Sequence, residues 1–169
     1  MQYLHGTNPT GVRATSAQST PRNSGGFTIL ELLIVVAVML VIAAFAVPAM
    51  QAAMYSARCA RAVGDLRTIG DALITFQEST GSPANSLVDV GFDGQLDPWG
   101  NPYQYLNLNV TPFPDTARTD RFFVPINTDF DLYSKGQDGL SAPSLTDPTS
   151  EDDIVWSGDG SYLGLASNF

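Results

Sequence analysis

The protein has 169 residues, 44% of them apolar, and its seventeen acids against eight lysines and arginines give a formal net charge of −9. This acidic balance disfavours nucleic acid as a partner, because phosphate binding depends on clustered cations. One cysteine, Cys59, excludes an intramolecular disulfide. The single histidine, His5, lies in the leader expected at residues 1–26, so no Ser-His or Cys-His set is available once that leader is removed.

The first segment, residues 1–26, is weakly basic. It contains Arg13 and Arg22, no acid, and many Ser, Thr, Asn and Gly residues. This composition is typical of a disordered leader that stays on the cytoplasmic side of a membrane. An ordinary signal peptide is cleaved after its apolar stretch, but only a weak small-residue site is present there. We therefore expect the apolar stretch to remain in the protein.

An apolar run follows at residues 27–50, FTILELLIVVAVMLVIAAFAVPAM. As a helix it would span about 36 Å, enough to cross a hydrocarbon layer of about 30 Å. Its one charge is Glu31, and a carboxylate in such a helix is unfavourable. Two interpretations stay open: Glu31 lies among lipid headgroups, or it pairs with the α-amino group of a neighbouring subunit in a filament.

The sequence GGFTILELLIVV around residue 27 resembles the cleavage and methylation motif of type IV prepilins and type II secretion pseudopilins. The resemblance implies that prepilin peptidase makes one cut, after Gly26, with Gly25 as the residue before it. Phe27 then becomes a methylated N-terminus. It also implies the α+β pilin fold, with one long N-terminal helix on a small antiparallel sheet and a long C-terminal loop. Glu31 would be the fifth mature residue and would serve filament assembly.

Pro48 lies near the end of the apolar run. Proline removes a helical hydrogen bond, so we expect it to kink or locally melt the helix. The resemblance points the same way, since pilin-like subunits often carry a proline here. Transfer of the subunit from membrane to filament would use that weak point.

From residue 51 to 80 the pattern becomes amphipathic, with apolar residues three or four apart: Val63, Leu66, Ile69, Leu73 and Phe76. The pattern predicts that the membrane helix continues to cover a small domain. Gly81 and Pro83 then end it.

Residues 81–169 form the predicted head, which is dense in Gly, Pro, Asp and Asn. Its short apolar clusters have strand length: Tyr103–Leu108, Arg121–Ile126, Phe130–Ser134 and Ile154–Trp156. They predict a small antiparallel sheet packed on the helix. The C-terminal residues Tyr162, Leu163 and Leu165 are expected to pack back on that sheet.

Two strings resemble the type II secretion major pseudopilin: DPWGNPYQYLN at residues 97–107 and FDLYSKGQDG at residues 130–139. In that family the acidic loop that follows, here within residues 134–154, binds calcium, an ion that takes six to eight oxygen ligands. The resemblance implies as ligands Asp138, one or both of Asp152 and Asp153, and the backbone carbonyl of Lys135. Residues 140–151 are longer and richer in proline than the family's loop, and a solvated turn is the alternative.

The expected function is structural: a subunit that polymerises with itself into a short filament driving protein export, anchored in the inner membrane with its head in the periplasm. Expected partners are prepilin peptidase, other minor pseudopilins and the inner-membrane assembly platform. A type IV pilin for adhesion, motility or DNA uptake is the alternative within the superfamily. A membrane-tethered enzyme is a remote alternative, since the chain has no phosphate loop or zinc spacing.

Overall fold

The computed structural model describes residues 25–169, so most of the expected leader lies outside the described residues. Its regular elements are the helix α1 (Ile29–Thr80) and the strands β1 (Gln104–Asn107), β2 (Phe130–Ser134), β3 (Ile154–Ser157) and β4 (Tyr162–Leu165). The chain divides into two compact units, one ending at Ala43 and the other running from Ala44 to Phe169.

The helix α1 has identifiable signals at both ends. Its start is capped by Thr28, whose hydroxyl accepts a hydrogen bond of 3.1 Å from the backbone N–H of Glu31. Its end follows from Gly81, which adopts the left-handed conformation with φ of 73° and whose N–H bonds the carbonyl of Gln77. The helix continues through Pro48 without a melted segment, and the expected kink there, with its use in transfer to the filament, stays a prediction.

The first part of α1 has the properties of a membrane helix. It has a mean hydropathy of 3.0 over its most apolar window, and within residues 25–169 it is the one helix long and apolar enough to cross a bilayer. Large apolar side chains from Ile29 to Met50 are exposed on all faces, including Leu33 at 63% and Phe45 at 76%. Water does not stabilise such a surface, which therefore needs lipid or protein around it.

The head is built on a four-stranded antiparallel sheet in the order β1-β2-β3-β4. Each strand pairs with the next along the chain; Tyr105 lies opposite Leu132, and Leu132 lies opposite Trp156. The C-terminal residues form β4, in which Leu165 pairs with Ile154. The expectation that this segment packs on the sheet is thus confirmed.

The core lies between the amphipathic part of α1 and one face of the sheet. Leu66, Ile69 and Leu73 are at most 2% exposed and share a cluster with Phe130 and Trp156. Val63 and Phe76 pack at its margin, so the apolar stripe predicted for this helix is confirmed. Burial of one such side chain contributes about 1.5–3 kcal/mol.

One predicted strand is wrong. The segment 121–126 forms bends rather than a strand, and Phe122, Phe123 and Val124 are exposed at 85%, 57% and 76%. Its apolar composition predicts a strand, but Pro125 offers no N–H for a sheet ladder. Only Ile126 at its end is buried.

Candidate functional sites: the processing segment and the acidic loop

The processing segment is open to an enzyme. Residues 25–28 have no regular structure and are exposed, and α1 begins two residues after Phe27. A Cβ atom added at Gly25 or Gly26 would meet nothing within 4 Å. Within the described residues, the peptide bond between Gly26 and Phe27 is therefore accessible in a segment without regular structure, just before a capped helix.

Glu31 lies in the first turn of α1 and is exposed. Its carboxylate makes no hydrogen bond or ion pair within the described residues, whereas its N–H bonds the Thr28 hydroxyl. An acid in the first turn is favoured by the helix dipole, so a local structural role exists for Glu31 beside the expected assembly role. Cleavage after Gly26 would create a new cation at Phe27, four residues away in the chain.

The two strings that resemble the major pseudopilin contact each other in the head. Asp97 is 4% exposed, and its Oδ1 atom accepts hydrogen bonds from the backbone N–H groups of Trp99 (3.0 Å) and Asn101 (2.8 Å). Its Oδ2 atom accepts a bond of 2.5 Å from the hydroxyl of Ser134, at the end of β2. The Asn101 amide donates to the carbonyl of Gly136. The turn at residues 97–101 thus holds the beginning of the acidic loop.

Asp152 closes the tight turn that follows β2. Its Oδ2 atom accepts hydrogen bonds from the N–H groups of Gln137 (2.6 Å) and Asp138 (3.0 Å). Gly136, with φ of 62°, lies against it so closely that a Cβ there would overlap Asp152. Asp138 is exposed and accepts a bond from the N–H of Leu140, within its own turn. Both carboxylates therefore organise backbone N–H groups.

Asp153 has a different environment. It is fully buried and pairs with Arg118, which is 2% exposed, at 2.5 Å between Oδ2 and Nη2. The hydroxyl of Ser141 donates to the same oxygen at 2.6 Å. Burial raises the pKa of Asp153 to about 6, and the bonds from Ser141 and Arg118 offset part of that rise.

The predicted calcium ligands each have a different partner and do not surround a common position. Asp152 and Asp138 face backbone N–H groups, Asp153 faces a guanidinium, and Lys135 is half-buried at the start of the turn. Across residues 25–169, no group of three or more His, Cys, Asp and Glu side chains is placed to hold a metal ion. The set as predicted does not fit the ion, and calcium binding itself stays a prediction.

Arg118 is the residue that sequence reasoning missed. It lies in the polar stretch ARTDR, with no local pattern that marks it as buried. The only available signal was the scarcity of cations among the many acids of the head.

An accessible Gly-Phe bond, a capped apolar helix with no covering on any face, and a four-stranded antiparallel head together define a prepilin-type filament subunit. Residues 21–47 match the family model described as "Prokaryotic N-terminal methylation motif". The chain is 32% identical over 147 residues to the "Type II secretion system core protein G" of Pseudomonas aeruginosa, an alignment that covers 75% of this chain and 92% of the relative. No solved structure matches it significantly.

The chain belongs to the family of type II secretion system core protein G, the major pseudopilins. It is a structural subunit of a pseudopilus rather than an enzyme. Its apolar N-terminal helix fits anchorage in the inner membrane.

Proposed function

We propose that this chain, after cleavage between Gly26 and Phe27, polymerises with itself into the pseudopilus that drives protein export. The observation that carries the proposal is the exposed apolar surface of α1 from Ile29 to Met50. In the membrane lipid covers this surface. In a filament the same surface packs against neighbouring copies, so one helix serves both states.

The proposal includes an order of events. Prepilin peptidase first cuts the accessible bond and frees the amino group of Phe27, which is then methylated. The head, residues 81–169, lies in the periplasm, and the assembly platform of the inner membrane extracts the subunit into the filament. Other, minor pseudopilins join the same filament.

The carboxylate of Glu31 gives assembly its register. It has no partner within the described part of the subunit and lies in an apolar surface, where an unpaired charge is unfavourable. The cleaved amino group at Phe27 of a neighbouring copy supplies a cation. Uncleaved chains would lack that cation and would remain in the membrane.

The decisive experiment removes the gene from its own host and restores it on a plasmid. Three quantities are measured: the secreted fraction of proteins, filaments after overexpression, and the intact mass of the subunit. We expect restored secretion and a mass corresponding to residues 27–169 with an added methyl group. A Gly26→Val variant, branched at the cut, should stay at full mass and restore nothing, whereas Gly25→Ala should be processed.

Normal secretion in the deletion strain, with loss of surface pili or motility instead, would contradict the proposal and indicate a type IV pilin. Secretion restored by uncleaved Gly26→Val would contradict the proposed order of events.

A further inference from the structure

Arg118 is a fully buried cation in a head with few cations. Its side chain is 2% exposed, and it is the largest of the fully buried side chains in the described residues. A buried guanidinium is strongly unfavourable unless its charge and its N–H groups have partners. The contacts around it therefore indicate what it does.

The backbone at Arg118 and Thr119 is fixed on one side to β2 and on the other to the acidic loop. The N–H of Arg118 donates to Asp131 Oδ2 at 2.6 Å, which ties it to β2. The next residue, Thr119, donates to the carbonyl of Pro143 at 2.9 Å and accepts from the N–H of Leu145 at 2.9 Å. This short ladder holds residues 118–119 beside residues 143–145.

The guanidinium collects oxygen atoms from three points of the loop. Nη1 donates to the hydroxyl of Ser141 and, at 2.7 Å, to the carbonyl of Ala142, while Nη2 donates to Asp153 Oδ2. The fourth side is closed by the ring of Tyr133, whose centroid lies 4.2 Å from the guanidinium carbon. A hydroxyl, a carbonyl and a carboxylate from one loop thus converge on one positive charge.

We propose that the Arg118 guanidinium is the structural cation of the loop 134–154, and that this loop is ordered without calcium. The oxygen types around Arg118 are those that a hard cation takes, and the guanidinium already occupies the carboxylate of Asp153. A divalent ion on the same carboxylate would lie next to this buried positive charge and would be repelled. The other oxygen, Asp153 Oδ1, is buried without a partner, but one free oxygen is far short of a calcium shell.

A second contact, between Ser150 and Ala142, holds the loop by hydrogen bonds between its own residues. The hydroxyl of Ser150, fully buried, donates to the carbonyl of Ala142 and accepts from its N–H, both at 3.0 Å. Ser150 lies just before Asp152 and Asp153, so this contact joins the two sides of the loop 134–154 beside Arg118. The order of the loop depends on these protein contacts.

The first test uses the purified mature chain, residues 27–169, in detergent, with calcium or with a chelator. Thermal unfolding by near-ultraviolet circular dichroism gives the Tm, and hydrogen exchange gives the protection of the N–H groups of Thr119, Ala142 and Leu145. We expect the Tm in the two conditions to agree within about 2 °C, because a ligand raises stability only when it binds the folded state. The three amides should be protected in chelator.

The second test removes the cation. Arg118→Met keeps an unbranched side chain but removes the guanidinium, which leaves the charge of Asp153 buried and unpaired, and should lower Tm by about 10 °C or more. The matched control is Arg121→Met, three residues away and exposed, which should leave Tm unchanged. The double variant Arg118→Met with Asp153→Asn should recover part of the loss, because no unpaired charge remains.

Two results would overturn the proposal. One is a clear rise in the Tm of the unmodified chain with calcium that disappears in Asp138→Ala, since calcium would then be the cation of the loop. The other is an Arg118→Met chain with unchanged Tm and unchanged amide protection. If Arg118→Met does not fold, the calcium comparison on the unmodified chain and the double variant still decide the question.

Discussion

Gly70 of α1 lies directly under the indole ring of Trp156 on β3. A Cβ atom at Gly70 would be less than 3.0 Å from three ring carbons, a separation that side chains essentially never show. Both residues are buried, and Trp156 also stacks against Phe130 with ring centroids 5.8 Å apart. The absence of a side chain at Gly70 therefore allows the helix and the sheet to approach each other at the centre of the core.

Gly70→Ala should lower the free energy of unfolding of the head by about 1–3 kcal/mol, because the added methyl group overpacks the core. The matched control is Gly64→Ala on the same helix, where a Cβ meets nothing within 4 Å. That variant should be stabilised by about 0.5–1 kcal/mol through helix propensity alone. Urea unfolding of the two variants measures the difference, and two changes of the same sign would contradict the packing argument.

The long helix and its two faces could be predicted because periodicity is a local property. The spacing of Leu66, Ile69 and Leu73 determines which side of α1 is buried, and the uniform run before it determines the exposed part. The three confirmed strands have the same origin, since their apolar residues lie in short runs between turns. The packing role of Gly70 could not be predicted, because it depends on where Trp156 lies in space.

The acidic loop shows the limit of reasoning from the sequence. The resemblance implies that Asp153 is a calcium ligand, but its partner in the structure is Arg118, which lies 35 residues earlier in the chain. Ion pairs between distant segments leave no spacing signal. The same limit explains the wrong strand at 121–126, whose apolar residues have no neighbouring strand with which to pair.

Glu31→Gln tests the charge in the apolar helix. The amide has the shape of the carboxylate but cannot pair with the amino group of Phe27, and the loss of one partner of a buried charge pair weakens an interface by about 2–5 kcal/mol. We expect normal cleavage by intact mass and a loss of filaments by electron microscopy. Glu78→Gln, exposed near the other end of α1, is the control and should assemble. Normal filaments from Glu31→Gln would refute the pairing.

Asp97→Ala tests the contact between the two strings of the head. It removes the acceptor of three hydrogen bonds, from Trp99, Asn101 and Ser134, and so should destabilise the head by about 3 kcal/mol. Asp93→Ala, an exposed acid four residues earlier, should change stability by less than about 0.5 kcal/mol. Thermal unfolding measures both, and equal effects would contradict the role assigned to Asp97.

The tyrosines of the head and of α1 predict a loss of stability at alkaline pH. All five tyrosines in the described residues have a raised pKa, chiefly through burial: Tyr55, Tyr103, Tyr105, Tyr133 and Tyr162. For Tyr105 the pKa rises to about 12, and its hydroxyl donates to the carbonyl of Ala84 at 2.7 Å. The folded state holds these protons above pH 10, where the unfolded chain has released them.

The direction of the pH dependence of stability follows from this difference in bound protons. Because the folded state binds more protons than the unfolded state between about pH 10 and 12, stability is fully present below pH 10 and decreases as the pH rises through this range. Absorbance at the wavelength of tyrosinate should therefore rise steeply, together with unfolding, rather than gradually around pH 10. Tyr105→Phe cannot ionise at this position, so its stability should depend less on pH in this range. A gradual titration near pH 10 in a chain that remains folded would show that these hydroxyls are not held by the core.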